Sequence, residues 1–259
     1  NNNTGWDSGT PLAGAVYNIV DKNGVVIDKL TTGSDGTAIS GQIKVGTYTL
    51  QEVKAPDWYG INPTPLKVTI QKQGQIVSVV AKDPSVNLMV GIKKTSDTKT
   101  CSWGDTINYY ITGVGNESKV SLDNFTVHDK LPDPKVAQIR YFDTGLWNIK
   151  YNFKVSYTTN LNTAYTYLPG TYSSDKHNHI DLYAANMGLR NGEYVTQIKM
   201  EFQGSVAPGF KLMEAMSMQM TAGTNFVNGY QFTNYADVSG RWNGQIVTAN
   251  SHWTIKMYG

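Results

Sequence analysis

The sequence predicts an all-β protein of two tandem β-sandwich domains, and three observations carry that expectation. Short alternating runs rich in Val, Ile, Thr and Tyr are separated by Asn-Gly, Asp-Gly and Pro turns along nearly the whole length, which is the pattern of strands in a sandwich or barrel. No window holds apolar residues at helical spacing long enough to make an amphipathic helix. The chain has 259 residues, 40% hydrophobic and 16% charged, with 16 Tyr, and that length is enough to bury two cores.

Taken in order, the first strands are "AGAVYNIVD", "VVIDKLTT", "TAIS", "GQIKVG", "TYTLQEV", "LKVTIQK" and "IVSVVA", joined by "KNG", "GSDG", "KAPDWYGINPTP" and "QGQ". The segment "AKDPS", Ala81 to Ser85, breaks the alternation with a proline before "VNLMVGIKKT" resumes it. The boundary is therefore expected near residue 85, with a first domain over 1–84 and a larger second one over 85–259. In the second, "DTINYYITGVG", "SLDNFTVHDKLP", "IKYNFKVSYTT", "YVTQIKMEFQG", "MSMQMTAGT", "TNYADVSG", "QIVTAN" and "HWTIKMYG" read as strands. Only Asp181 to Arg190 and Pro208 to Met216 have room for a helical turn or two. The stretch from Pro134 to Asn191 exceeds what a minimal module needs and reads as an insertion. Its Tyr, Asn and Thr suit either glycan or protein contact or an ordinary Tyr-rich sheet.

Composition also excludes function classes. The net charge is +2 with basic residues spread along the chain, so a nucleic-acid groove is not expected. No run of apolar residues is long enough to span a membrane, and no export leader is present, so the chain reads as a mature fragment of something longer. A single cysteine, Cys101, rules out an internal disulfide and a cysteine zinc cluster. It reads as an inert thiol rather than a nucleophile or thioester. His177 and His179 in "DKHNHID", beside Asp175 and Asp181, form a solvated loop rather than a metal site, so neither metal nor cofactor is expected. Neither a nucleophile elbow nor a phosphate loop is present, and enzyme turnover on an external substrate is not expected.

Two sets of motifs carry a resemblance. "SGTPLAGAVYNIVDKNGVV", "TTGSDGTA" and "VGTYTLQEVKAPDWYG" resemble the collagen-adhesin B-type domain of Gram-positive surface proteins and pilins, a prealbumin-like sandwich. Tyr48, Leu50, Glu52, Ala55, Pro56 and Tyr59 meet its Tyr-x-Leu-x-Glu-x-x-Ala-Pro-x-x-Tyr box. In that family the glutamate assists an isopeptide bond between a first-strand lysine and a last-strand Asn or Asp. Burial favours neutral forms of both amine and acid, which suits amine attack on a carboxamide. Here the first strand reads "NNNTGWDSGT" without a lysine, and the last offers only Asp83 at its end. The expectation is a first domain without the bond, in which Glu52 is a structural carboxylate held by backbone or a tyrosine.

The second set is "IKKTSDTKTCSWGDTINYYITGVGNES", "NFTVHDKLP" and "FTNYADVSG". It resembles the conserved-repeat and collagen-adhesin A-type sandwiches of the same surface proteins, and so implies an Ig-like/prealbumin-like pair of domains. The resemblance implies Lys94 as nucleophile, Asp129 as proton shuttle and Asn234 as electrophile of an autocatalytic isopeptide bond. Lys93 is the alternative nucleophile, and strand parity favours Lys94, because Leu88, Val90 and Ile92 share the face that Lys94 continues. The ordinary alternative is an exposed lysine, a strand-end aspartate and a turn asparagine. The implied role is a shaft segment of a Gram-positive cell-wall-anchored surface protein or pilin. Its partners would be neighbouring domains or subunits, and its location the extracellular cell surface. The competing role is an adhesin region that contacts host glycan or matrix protein through the second domain.

Overall fold

A computed structural model describes residues 11–259. The chain forms two compact units, Asn1–Leu88 and Met89–Gly259. The "NNNTGWDSGT" stretch, the expected first strand without a lysine, lies outside the described residues.

The first unit holds an antiparallel sheet of β1 (Val16–Val20), β2 (Val26–Thr31), β3 (Gly46–Lys54) and β4 (Leu66–Ile70), in the order β2-β1-β3-β4. The β1–β2 hairpin closes where Asp21 Oδ1 accepts the N–H groups of Asn23 and Val25 and Gly24 takes φ 81°, a conformation glycine adopts without steric cost. Alternation along β1 and β3 turns Ile19, Tyr48 and Leu50 to one face, where Tyr17, Leu30, Leu66, Val68 and Ile70 pack on them. Three expected strands have no complete ladder among the described residues. "TAIS", "IVSVVA" and all of "GQIKVG" but Gly46, which opens β3 opposite Ile70, have no ladder partners among the described residues, and Ile39, Ile76 and Val80 are 92%, 91% and 81% exposed. Alternation supplies only an apolar face; a strand also needs a neighbour whose backbone groups are free to pair.

The second unit is a sandwich. One sheet runs β12 (Asn162–Tyr167), β11 (Asn152–Thr159), β15 (Val195–Phe202), β8 (Asp123–Lys130), β18 (Tyr230–Trp242), β19 (Gln245–Tyr258) and β6 (Thr100–Ser102), with β13 (Tyr172–Ser173) also on β11. The facing sheet runs β14 (His179–Asp181), β9 (Ala137–Asp143), β17 (Met216–Ala222), β7 (Thr106–Asn116) and β5 (Val90–Ser96). A short pair, β10 (Leu146–Trp147) with β16 (Leu212–Glu214), stands beside them. Strand β5 lies against β18 and β19, so the edge of one sheet faces the middle of the other. The 134–191 stretch supplies strands to both sheets.

Every second residue of β17, namely Met216, Met218, Met220 and Ala222, is buried, and Phe125 and Val127 of β8 and Phe232, Ala236 and Val238 of β18 face them from across the sandwich core. At one end Phe210 is wholly buried, with ring centroids 4.8 Å from Trp147, 4.9 Å from Tyr151, 5.1 Å from Phe202 and 5.8 Å from Phe125. Of the two segments with room for helix, Asp181 to Arg190 forms one turn, α1 (Ala184–Met187), closed by Gly188 at φ 70°. Pro208 to Met216 forms none. Its backbone groups are taken by β7, since Gly209 N–H donates to Asn116 O and Phe210 O accepts from Asn116 N–H, leaving no intrahelical bonds to make.

Phe210→Ala removes the hub of this ring cluster and is predicted to cost about 3–5 kcal/mol of the second unit's stability. Chemical denaturation measures it, and a loss below about 1 kcal/mol would mean that the cluster relaxes into the space.

Candidate functional site

The second unit brings Lys94, Asp129 and Asn234 together in its core. Each occupies a slot that its strand's alternation reserves for an apolar residue. Asp129 follows Phe125 and Val127 on the inner face of β8, and Asn234 sits between Phe232 and Ala236 on that of β18. The two strands are direct neighbours, with Ala236 opposite Asp129. Lys94 arrives from the other sheet. The ladder between β5 and β7 shifts between Gly91 and Lys93, so Ile92 is only half-buried; beyond the shift Lys93 is exposed and Lys94 is buried. Ser251 Oγ on β19 accepts the Lys94 backbone N–H at 2.8 Å, holding this edge strand against the larger sheet.

Asp129 bridges the other two residues. Its Oδ2 lies 2.5 Å from Lys94 Nζ and its Oδ1 accepts Asn234 Nδ2 at 2.6 Å. Nδ2 also donates to Lys130 O at 2.9 Å, while Asn234 Oδ1 is buried with no hydrogen-bond partner among the described residues. The relative exposures of Lys94, Asp129 and Asn234 are 2%, 4% and 0%. Met218 Sδ stands 3.3 Å from Lys94 Nζ, and the Tyr109 ring centroid 5.0 Å from it. Burial pulls the Lys94 amine below its ordinary value, against the opposing pull of Asp129. Burial likewise pushes the Tyr109 hydroxyl up, with Asp129 adding to the effect. The arrangement can move a proton from an amine to a carboxylate, and it holds a carboxamide at that same carboxylate. Resemblance and parity had singled out the three polar residues; Met218, Tyr109 and Ser251 were not singled out, since only the packing of the sheets reveals them.

Glu52 has a different setting. Register places Tyr17 of β1 opposite Glu52 of β3, and burial, with the nearby charges of Asp83 and Glu52, pushes the Tyr17 hydroxyl up. Glu52 Oε1 accepts the Asn62 backbone N–H at 2.7 Å. The tail of the box then clamps the end of the unit: Gly60 N–H donates to Pro84 O, Val86 N–H to Trp58 O, and Asn62 Nδ2 to Lys82 O. That clamp sets Asp83 against Glu52. Burial first, then the hydrogen bond and charge of Glu52, push the Asp83 carboxyl up to about 7. Glu52 Oε2 and Asp83 Oδ1 are buried without a hydrogen-bond partner among the described residues. No lysine among the described residues forms an ion pair with either acid.

The remaining candidates lie apart. Cys101 is buried, and burial raises its thiol, which favours the unreactive form. His177 bridges Asp143 and Glu214 at 2.6 Å each, bonds that raise its pKa, while His179 packs on Tyr141. Among the described residues no group of three His, Cys, Asp or Glu is placed to hold a metal ion.

Residues 2–85 match the family model described as SpaA, prealbumin-like fold domain. Over 90 residues the chain is 33% identical to the trypsin-resistant surface T6 protein of Streptococcus pyogenes serotype M6, covering 35% of this chain and 17% of that protein. The chain thus spans well under two thirds of the length of the curated relative it matches. Similar solved structures include BcpA, the major pilin subunit of Bacillus cereus, at 17% identity and TM-score 0.37, covering 96% of this chain and 65% of that one. The T6 backbone pilin of serotype M6 Streptococcus pyogenes overlaps at 12% identity and TM-score 0.37, covering 95% and 62%. The collagen-binding subdomain of the Enterococcus faecalis surface protein ACE overlaps at 10% identity and TM-score 0.27, covering 66% and 96%.

The Asp83 pairing makes a pH prediction. Its folded pKa lies above the ordinary carboxylate value, so the folded first unit binds more protons than the unfolded chain between about pH 4 and 7. The stabilisation is fully present below the ordinary carboxylate pKa and is lost as pH rises through about 7. Amide hydrogen exchange of β1 and β3 is predicted to slow on acidification across this window, after correction for intrinsic rates, and Asp83→Asn to remove most of that dependence. An Asp83→Asn variant that keeps the full pH dependence would assign it to another group.

Proposed function

We propose that this chain, whose residues 2–85 carry a SpaA-type prealbumin-like domain, is a shaft segment of a Gram-positive cell-wall-anchored surface protein or pilin. An autocatalytic Lys94–Asn234 isopeptide bond stabilises its second unit. The observation that carries this reading is Asp129, buried, with one oxygen on Lys94 Nζ and the other on Asn234 Nδ2. Proton transfer from Nζ to Oδ2 leaves a neutral amine beside a neutral acid, the pair that a dry core favours over two charges. The amine lone pair then attacks Asn234 Cγ. The new C–N bond forms as the bond to Nδ2 breaks; Asp129 collects a proton from the attacking nitrogen and delivers one to the leaving nitrogen. Ammonia departs with the last proton as ammonium, Asp129 returns to carboxylate, and nothing is oxidised or reduced.

The product joins an edge strand of one sheet to an inner strand of the other. The loop it closes runs from β5 to β18, most of the unit, and by analogy with a disulfide the tie is worth about 3–5 kcal/mol. Unlike a disulfide it resists reduction, which suits a surface stalk under shear and proteolysis. The partners in this reading are neighbouring domains or subunits of the same fibre or surface protein, at the cell exterior. The only chemistry is performed once, on the chain itself. No helix among the described residues is long and apolar enough to cross a membrane. In the first unit Glu52 and Asp83 are read as a structural acid pair.

Intact mass under denaturing conditions tests the bond. The native chain is predicted to be one ammonia lighter than its sequence, and Asp129→Ala and Asn234→Ala each to restore the full mass while lowering unfolding stability by about 3 kcal/mol or more. A native mass equal to the sequence mass would remove the proposal. A deficit that survives Asn234→Ala would assign the carboxamide to another residue.

A further inference from the structure

The outer face of the five-stranded sheet carries an open cleft of about 400 Å³, walled by β7, β9, β17, β14 and α1. A bulge creates its floor. Gln219 of β17 pairs with Tyr141 of β9 and Met220 with Ile139, so Arg140 has no opposite number. An extra residue in a strand resets its alternation. Ile139 and Phe142 go to the core, while Arg140 and Tyr141, neighbours in sequence, both line the cleft. Regular alternation would have sent one of them inward.

Arg140 is fixed without being neutralised. Its Nε donates to Thr221 Oγ1 at 2.9 Å, and its guanidinium lies 4.0 Å over the Tyr183 ring. None of the ion pairs among the described residues includes it. Its terminal amino groups therefore remain available as a rigid fork, the geometry that grips a carboxylate through two parallel bonds. Asp181 is the counterpart for hydroxyl donors. Its carboxylate is held by Asn186 Nδ2 at 2.8 Å and the Tyr183 N–H at 3.0 Å, and its remaining lone pairs are free to accept. Gln219 adds an amide that reaches the Tyr141 hydroxyl at 3.4 Å, and Tyr141 packs on His179 with centroids 4.5 Å apart.

A free cationic fork, a held carboxylate, an amide and aromatic rings match a pyranose that carries its own carboxylate. The carboxylate meets Arg140, ring hydroxyls meet Asp181 and Gln219, and the apolar ring face lies on tyrosine. A peptide C-terminus would bring the same charge but would also need a pocket for its last side chain, and no aliphatic side chain lines the cleft. We propose that the Arg140 cleft binds an acidic sugar residue, a uronate or sialic-acid type unit of a glycan. The proposal does not depend on the cross-link, whose mass signature stays the same whether or not the cleft binds.

Saturation-transfer and chemical-shift NMR on the whole chain tests it, with glucuronic acid and N-acetylneuraminic acid as probes and their methyl esters and acetate as controls. Both acids are expected to saturate and to shift the Arg140 side-chain resonance. The esters and acetate are expected to bind about tenfold more weakly or worse, and Arg140→Gln to lose about tenfold or more in affinity, with melting temperature and the difference between measured and sequence mass unchanged. If Arg140→Gln fails to fold, the acid-versus-ester comparison on the native chain decides alone. Equal binding of acid and ester, acetate binding as tightly as the sugars, wild-type affinity in a folded Arg140→Gln, or no binding of either acid at millimolar concentration would each overturn the assignment.

Discussion

A lysine amine buried at 2% exposure and held 2.5 Å from a buried carboxylate is the constraint around which the second unit is built. Taking two opposite charges out of water costs several kcal/mol per ion before their attraction is counted. Such a pair persists only where the surrounding packing gives it nowhere else to go. Here the surroundings are two sheets that present Lys94 and Asp129 from opposite sides, with the Asn234 carboxamide, Met218 Sδ and the Tyr109 ring filling the remaining space. Proton transfer relieves the two charges, and the proposed condensation removes the amine from titration altogether. On that account the polar cluster is a reaction centre consumed in maturing the fold, and the cost of its burial is borne only by the precursor.

The first unit holds a second acid cluster. Glu52 and Asp83 meet through the clamp made by the tail of the Tyr48-to-Tyr59 box, and with Tyr17 they form a small buried acid cluster. Without a cation among the described residues to pair with, one acid retains its proton near neutrality rather than carry a second negative charge beside the first. The same physics of burial raises the Asp83 carboxyl in one unit and, in the proposed reaction, would let Asp129 relay protons in the other.

Much of this could be read from the sequence where polar residues interrupt an apolar alternation. Asp129 after Phe125 and Val127, and Asn234 between Phe232 and Ala236, are visible as inward positions by counting in twos. Lys94 was selected over Lys93 on the same count, although the ladder shift after Gly91 means that simple parity does not run unbroken from Val90. What counting cannot supply is which inward positions face one another across the sandwich, so Met218 and Ser251 were not foreseen. Nor does it foresee a bulge such as the one at Arg140, which depends on the register of a partner strand. The segments "TAIS" and "IVSVVA" have strand chemistry but no ladder among the described residues, since pairing is a property of two segments and a sequence pattern describes one.

The most direct test of the central claim is a high-resolution crystal structure of the second unit within the intact chain. Continuous electron density from Lys94 Nζ to Asn234 Cγ, planar as an amide, with Asp129 hydrogen-bonded to the new linkage and no density for Nδ2, is the predicted result. Separate side chains, with an intact Asn234 carboxamide and Lys94 still paired to Asp129, would contradict it and leave the cluster a buried ion pair.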